Sequence, residues 1–277
     1  MISFEGKERI QKIGIVATLM LPVAFVALPY LWMALSSFTP SKDLYGDRVF
    51  PSSFTLIHYK DLFIKTNFGS QFLNSTIVGV LATVICLIVS TLAGYSLSRF
   101  QPRWNLERYL LIIYMIPTVL LVIPILLLFS RLGLTSTYLG LALGHSTFML
   151  PFATLILAAY FNQIPKSLDE AALVDGMGRL EALGRIILPL ALPGIVATGV
   201  VIFAFSWNDY VFAYTLIAVK QKQTLPVGVA ELAVGQTLEW SLLMSAAVMI
   251  TLPMLLFFLF VQRKLLSGFI FAVTGEK

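Results

Sequence analysis

Leu190-Ala-Leu-Pro-Gly-Ile-Val-Ala-Thr-Gly-Val-Val-Ile-Phe-Ala-Phe-Ser-Trp-Asn-Asp-Tyr-Val-Phe-Ala-Tyr214 runs for 25 residues with a single charged side chain, Asp209. Roughly 20 helical residues of this character suffice to cross the hydrocarbon core of a bilayer, so the stretch reads as a membrane span. Working outward, the same reading applies to 13–36, 76–98, 109–129, 138–160 and 241–261, none of which contains Asp, Glu, Lys or Arg. Six such stretches are too long and too numerous to be core helices of a soluble domain. They predict an all-α fold, a polytopic membrane helix bundle of six transmembrane helices forming one domain over 1–277.

Composition agrees. Of 277 residues 58% are apolar and 12% charged, with mean hydropathy +0.89, whereas soluble chains run near a quarter charged. The net charge of +5 and pI of 9.3 would suit nucleic acid in a soluble protein. Here the basic residues sit between apolar runs, so no nucleic-acid partner is expected and anionic lipid headgroups are the match. Cys86 is the one cysteine, and His58 and His145 are the only histidines. That leaves no internal disulfide and no metal or haem ligand set.

The first span follows Lys7, Arg9 and Lys12, as in a signal peptide. It is too long for one, carries Pro22 and Pro29, and lacks an A-x-A cleavage site, so it reads as a retained span. With both termini inside, inner segments hold twelve Lys and Arg residues against seven outside. This predicts cytoplasmic termini in a multi-pass inner-membrane protein and places the segment between spans four and five inside. In the outer segment 39–75, Ile57, Leu62, Phe63, Phe68 and Phe72 are spaced as in short amphipathic helices. These would serve as an interfacial anchor or as a docking surface for an external partner.

The segment 164–189 contains Pro165-Lys-Ser-Leu-Asp-Glu-Ala-Ala-Leu-Val-Asp-Gly-Met-Gly-Arg-Leu-Glu-Ala-Leu-Gly-Arg-Ile-Ile-Leu-Pro189. It parses as helix, turn, helix. Ser167 and Glu170 match a capping box, and Asp175-Gly176 ends the first helix at a left-handed glycine. Leu180, Leu183 and Ile187 recur at helical spacing and would face the spans, and Pro189 opens the next span. A plain connecting hairpin, with Glu170 as a cap, would satisfy these local signals.

The same residues form a wider pattern: Glu170-Ala171-Ala172, Gly176 six residues after Glu170, then Ile186, Leu188 and Pro189. This resembles the EAA signature of ABC importer permeases, with all seven positions in register. Further segments are similar to the carbohydrate-uptake, maltose-type members, over nearly the whole chain. They are Pro29-Tyr-Leu-Trp32 with Ser37-Phe-Thr-Pro40, Asn74-Ser75, Ala93-Gly-Tyr95-Ser-Leu-Ser-Arg99, Ile116-Pro117, Ile123-Pro124, Trp207-Asn208-Asp209, and Thr224-Leu-Pro-Val-Gly228.

The resemblance implies a type I ABC importer permease. Its partners would be a homologous second permease, two ATPase subunits and an extracytoplasmic solute-binding protein. Glu170, Ala171, Ala172, Asp175 and Gly176 would form a coupling helix docked on an ATPase subunit. Small Ala171 and Ala172 would allow close backbone approach, and Glu170 a charged contact. Thr224, Pro226 and Gly228 would face the binding protein. The tail Ser267–Lys277 departs from the glycine-rich ending of the family. The implied function is import of a sugar or sugar-like solute by alternating access. ABC import of a non-sugar solute is the nearest alternative.

Asp209, acidic within a span, marks a solute pathway with Asn208, or else reaches outer-face water beside Trp207. His145 reads as a packed polar residue rather than a proton relay. Gly140-x-x-x-Gly144 permits close helix contact. No G-x-x-x-x-G-K-[ST] and no convergent catalytic set occurs, so the chain is expected to be no enzyme and to bind no cofactor; ATP and Mg would be used by the ATPase subunits. An ion-coupled secondary transporter would carry more buried ionisable residues and a repeat between its halves.

Overall fold

The computed structural model describes residues 4–44, 51–100, 105–234 and 239–274. Glu276 and Lys277 of the tail lie outside them, as do the side chains of Lys7, Arg9, Lys12 and 263–274. Among the described residues the regular elements are helical, with no strand. In chain order they are α1 (Phe4–Ser37), α2 (Ser41–Leu44), α3 (Ile57–Lys65), α4 (Phe68–Phe100), α5 (Leu106–Tyr114), α6 (Thr118–Arg131), α7 (Tyr138–Gln163), α8 (Lys166–Val174), α9 (Arg179–Ala182), α10 (Leu188–Asn208), α11 (Val211–Leu216), α12 (Leu225–Val234) and α13 (Trp240–Thr274). A helix is forced on such apolar segments because lipid offers no hydrogen bonds, and only a helix satisfies its own backbone.

Among the described residues five helices are long and apolar enough to cross a membrane, and the pair α5–α6 brings the total to six if it counts as one span. The expected third span is therefore not straight. It bends by 93° at Met115–Pro117, where Pro117 lacks a backbone N–H and drives its neighbour out of the helical region.

The chain divides into two compact units. The smaller comprises 1–66 and 231–251. Within it Ser37 Oγ bonds Tyr59 Oη at 2.7 Å, His58 Nε2 meets the Thr39 carbonyl at 3.0 Å, and Ser245 Oγ donates to Ser241 O at 2.8 Å. Leu62 is buried and Phe63 half exposed on α3. Of the five apolar residues expected on short helices here, Ile57, Leu62 and Phe63 fall on α3. Phe68 and Phe72 belong instead to α4, which starts eight residues before the expected span at Thr76.

The larger unit, 67–230 and 252–277, contains the main core. The start of α4 meets the start of α7 (Tyr138 Oη to Asn74 Oδ1, 2.7 Å) and their ends meet as well (Tyr95 and Phe161 rings, centroids 5.8 Å apart). The two therefore run parallel. A parallel pair needs an odd number of crossings between them, so the bent α5–α6 counts as one. Tyr114 stacks on Phe152 while Phe129 lies near Gly144, so that crossing runs antiparallel to α7. α10 is antiparallel to both: Gly79 packs on Phe203 and Gly199 on Leu87, while Gly194 meets the Tyr160 ring. Val78, Ala82, Leu141, Ala142 and Ile202 are buried at the centre of this packing.

Span five differs from its expected limits. A continuous rod of 30 residues runs from Arg179 to Asn208, with one π-helical turn at Leu183–Ile187. Pro189 stands in the first turn of α10, as expected, and the π-helical turn joins that helix to α9 in one rod. The Leu188 N–H reaches back five residues to the Leu183 carbonyl; a widened turn makes room for a proline ring that would crowd a normal one. At the far end the helix stops at Asn208, because Asp209 adopts extended backbone (φ −70°, ψ 126°). Tyr214 belongs to the separate α11.

Candidate functional site

The polar segment after α7 folds as helix, turn, helix. α8 begins at Lys166 with Pro165 as N-cap and no side-chain cap bond, so the expected box between Ser167 and Glu170 is not formed. Proline at the boundary starts the helix two residues earlier, which moves Ser167 inside. The stop is as expected. Gly176 has φ +85°, Met177 N–H bonds Ala172 O at 3.0 Å and Gly176 N–H bonds Leu173 O at 3.1 Å. That is the paired 6→1 and 5→2 arrangement by which a left-handed glycine ends a helix.

α8 has two unlike faces. Asp169 and Ala172 point into the chain and are buried, Ala172 at 1% exposure. Glu170, Ala171, Asp175 and Val174 point outward, Val174 at 86%. Among the described residues Glu170 has no ion-pair partner. Of the two alanines, Ala172 packs on the chain's own helices and only Ala171 offers a small exposed surface. Of the three apolar residues expected to face the spans, Leu183 and Ile187 are buried and Leu180 is exposed.

The inner face is held by a buried ion pair. Arg99 Nε donates to Asp169 Oδ2 at 2.7 Å, with side chains 6% and 12% exposed. Tyr95 Oη donates to Asp169 Oδ1 at 2.5 Å. The other guanidinium nitrogens of Arg99 reach Phe161 O (2.9 Å), which also accepts from Ile164 N–H, and Ile164 O (3.2 Å) just past the end of α7. Sequence reading passes over Asp169 and treats Arg99 as one of the inner basic residues. An acid beside Glu170 and an arginine closing a span are the available signals.

At the other end of α7, His145 is fully buried on the face toward α10. Its Nε2 lies 3.1 Å from Asp209 Oδ2 and its Nδ1 2.7 Å from Ser206 Oγ. Asp209 also accepts from Ala213 N–H at 3.0 Å. An ionised carboxylate can only accept, so Nε2 donates to it, while the serine hydroxyl can either donate to Nδ1 or accept from it. His145 is thus a packed polar residue, and Asp209 caps a broken helix with its charge spoken for. Asn208 beside it is exposed, its Nδ2 bonding Ala204 O.

Asn74 Nδ2 donates to both Gln221 O and Gln223 O at 2.9 Å, and Leu225 N–H donates to Ser75 Oγ. Thr224 and Gly228 are buried in this packing, with Gly228 against Gln71, and Pro226 is partly exposed. Where α5 and α6 bend, a cavity of about 370 Å³ is lined by Tyr114, Met115, Thr118, Thr147 and Phe205 among others. Among the described residues no group of three or more His, Cys, Asp or Glu could hold a metal.

Residues 87–271 match the family described as binding-protein-dependent transport system inner membrane component. The chain belongs to that family. As a permease of this kind it is a multi-pass inner-membrane transport component and not an enzyme. It is 34% identical over 252 residues to the trehalose transport system permease of Mycobacterium tuberculosis, covering 90% of this chain and 92% of that one. The trehalose/maltose transport system permease of Thermococcus litoralis is 30% identical, with 95% and 96% covered. Among solved structures, a chain of the bacterial ABC transporter that imports the acidic polysaccharide alginate superposes with TM-score 0.80, at 21% identity, over 93% of this permease and 97% of that chain. That likeness supports the type I importer fold of the permease.

Proposed function

We infer that this permease admits a sugar or sugar-like solute into the cytoplasm, handed over by an external binding protein and driven by ATP hydrolysis in two separate ATPase subunits. The permeases it resembles are named for trehalose, maltose and diacetylchitobiose transport, which supports the solute class. A homologous second permease completes the passage. ATP and Mg are handled by the ATPase subunits.

The observation that carries the reading is the two-faced α8. A short helix clamped on one face and bare on the other, presenting Glu170, Ala171 and Val174, suits insertion into a groove of a second protein. With both termini cytoplasmic, that face meets the ATPase subunits. Their closure moves α8, and the spans exchange inward-open for outward-open as rigid bodies. Asp175 and Gly176 end the docked helix. Asn208 and Asp209 would border the solute path, and the aromatic and hydroxyl groups at the bend of span three suit the faces and hydroxyls of a sugar ring. Thr224 and Gly228 would shape the binding-protein surface from beneath, with Pro226 at its edge.

The test is reconstitution of the complete importer in lipid vesicles with unaltered or Glu170→Arg permease. Replacing the carboxylate by a bulky cation is expected to release the ATPase subunits and to abolish binding-protein-stimulated hydrolysis. Transport without ATPase subunits, or an unaffected variant, would instead favour a secondary transporter with a plain hairpin at 165–189.

A further inference from the structure

We propose that Arg99, Asp169 and Tyr95 form the joint through which movement of α8 reaches spans two and four. This rests on α8 being the docking element, and it assigns residues that face away from the docked partner.

A lever must be fixed at more than one point, or it swivels. The chain itself fixes α8 once, through Ile164 and Pro165 from the end of α7. On its other side it is joined through a turn at Gly176–Gly178. Gly176 and Gly178 have nothing within 4 Å of where a Cβ would stand, and the turn leads into α9 and the π-helical turn before span five. Without a second fixed point, force on the exposed face would rotate α8 about Pro165.

Arg99 supplies that point. It belongs to the last turn of α4, yet it holds Asp169 of α8 through Nε and the terminal carbonyls of α7 through its other two nitrogens. The planar guanidinium presents its donors toward all three acceptors at once from separate nitrogens, a fork that a lysine ammonium does not reproduce. Tyr95, one turn earlier on α4, occupies the second carboxylate oxygen. Both Asp169 oxygens are therefore tied to span two, and with side chains 6% and 12% exposed the pair is screened much less than a surface one. Nothing in this set is exposed enough to be the docking contact.

The experiment uses the complete importer in vesicles, with Cys86→Ala and Leu73→Cys on α4 as background. Leu73 is 58% exposed near the opposite end of α4 from Arg99. A membrane-impermeant maleimide reports its reactivity with and without ATP and vanadate, which needs no knowledge of the solute. A nucleotide-dependent change in labelling is expected. In Arg99→Gln and Asp169→Asn the ATPase subunits should still co-purify while that change falls by about tenfold, as for a buried pair deprived of one partner.

Tyr95→Phe removes one hydrogen bond and keeps the ion pair, and a partial loss is expected. It decides the matter should the charge variants fail to fold. Full retention of the nucleotide response in the charge variants or in Tyr95→Phe would overturn the proposal, as would its absence in the unaltered joint. Loss of co-purification identical to that of Glu170→Arg would also overturn it, making the cluster part of docking. The docking reading fails separately, if Glu170→Arg still assembles.

Discussion

His145 Nε2 and Asp209 Oδ2 stand 3.1 Å apart, joining the first third of α7 to the end of α10 across 64 positions of sequence. The imidazole is fully buried and bonded at both nitrogens, and the carboxylate ends a helix in the same act. Asp209→Leu leaves the Nε2 proton unpaired in an apolar site, which costs about 1–3 kcal/mol. Thermal unfolding in detergent should show a lower midpoint for Asp209→Leu than for Asp209→Asn, which keeps an acceptor. Equal midpoints would mean that the pair adds nothing to stability.

Gly94 lies against the backbone of Ala158. A Cβ there would stand 2.9 Å from the Ala158 nitrogen and 3.1 Å from the Thr154 carbonyl oxygen. Backbone cannot swing aside as a side chain can, so Gly94→Val should force α4 and α7 apart at a cost of about 1–3 kcal/mol. Gly184, with nothing within 4 Å, is the control; Gly184→Ala should unfold at or slightly above the parent midpoint.

Gly176 holds φ +85°, where a Cβ costs roughly 1–2 kcal/mol but an asparagine is better tolerated. Gly176→Val should reduce binding-protein-stimulated ATP hydrolysis by the complete importer in vesicles, with Gly176→Asn between it and the parent. The expected order rests on backbone conformation alone, since the position has no neighbour to clash with. Equal rates for the three would show that the turn need not stop there.

Asn74 pins the segment that carries Gln221 and Gln223 through two bonds from one amide. Asn74→Leu should free it, and Lys220 and Lys222 would then be cut faster by trypsin added to the outer face. Lys222 is itself bonded to the Ser136 carbonyl at 2.9 Å, so Lys220 should be released first. Cleavage only from the inner face would reverse the orientation read from the basic residues.

Local physics explains why some features were legible in the sequence. Lack of charge over 20 or more residues makes a span wherever it occurs, and the Asp175-Gly176 stop needs no distant partner. The Glu170 pattern stood in seven positions of one short segment. Other features depended on what the chain meets after folding. Ser167 and Glu170 had the right types for a capping box, but Pro165 set the helix start elsewhere. Pro117 announced a break in span three without its angle of 93°. The end of span five was hidden within an apolar run because the residue that stops it, Asp209, does so by bonding Ala213 and His145.

Composition and the length of the apolar runs thus determined six helical spans, and local residue types determined the Asp175-Gly176 stop, since each rests on neighbours within a few residues; the family was legible as a resemblance in the Glu170–Pro189 pattern. Tertiary structure alone decided that α4 and α7 run parallel, that Ala172 faces inward while Ala171 does not, and that Arg99 meets Asp169 seventy positions away. A hydrogen bond or buried ion pair is made by groups within about 3 Å of one another, and along a folded chain that distance bears no relation to separation in sequence.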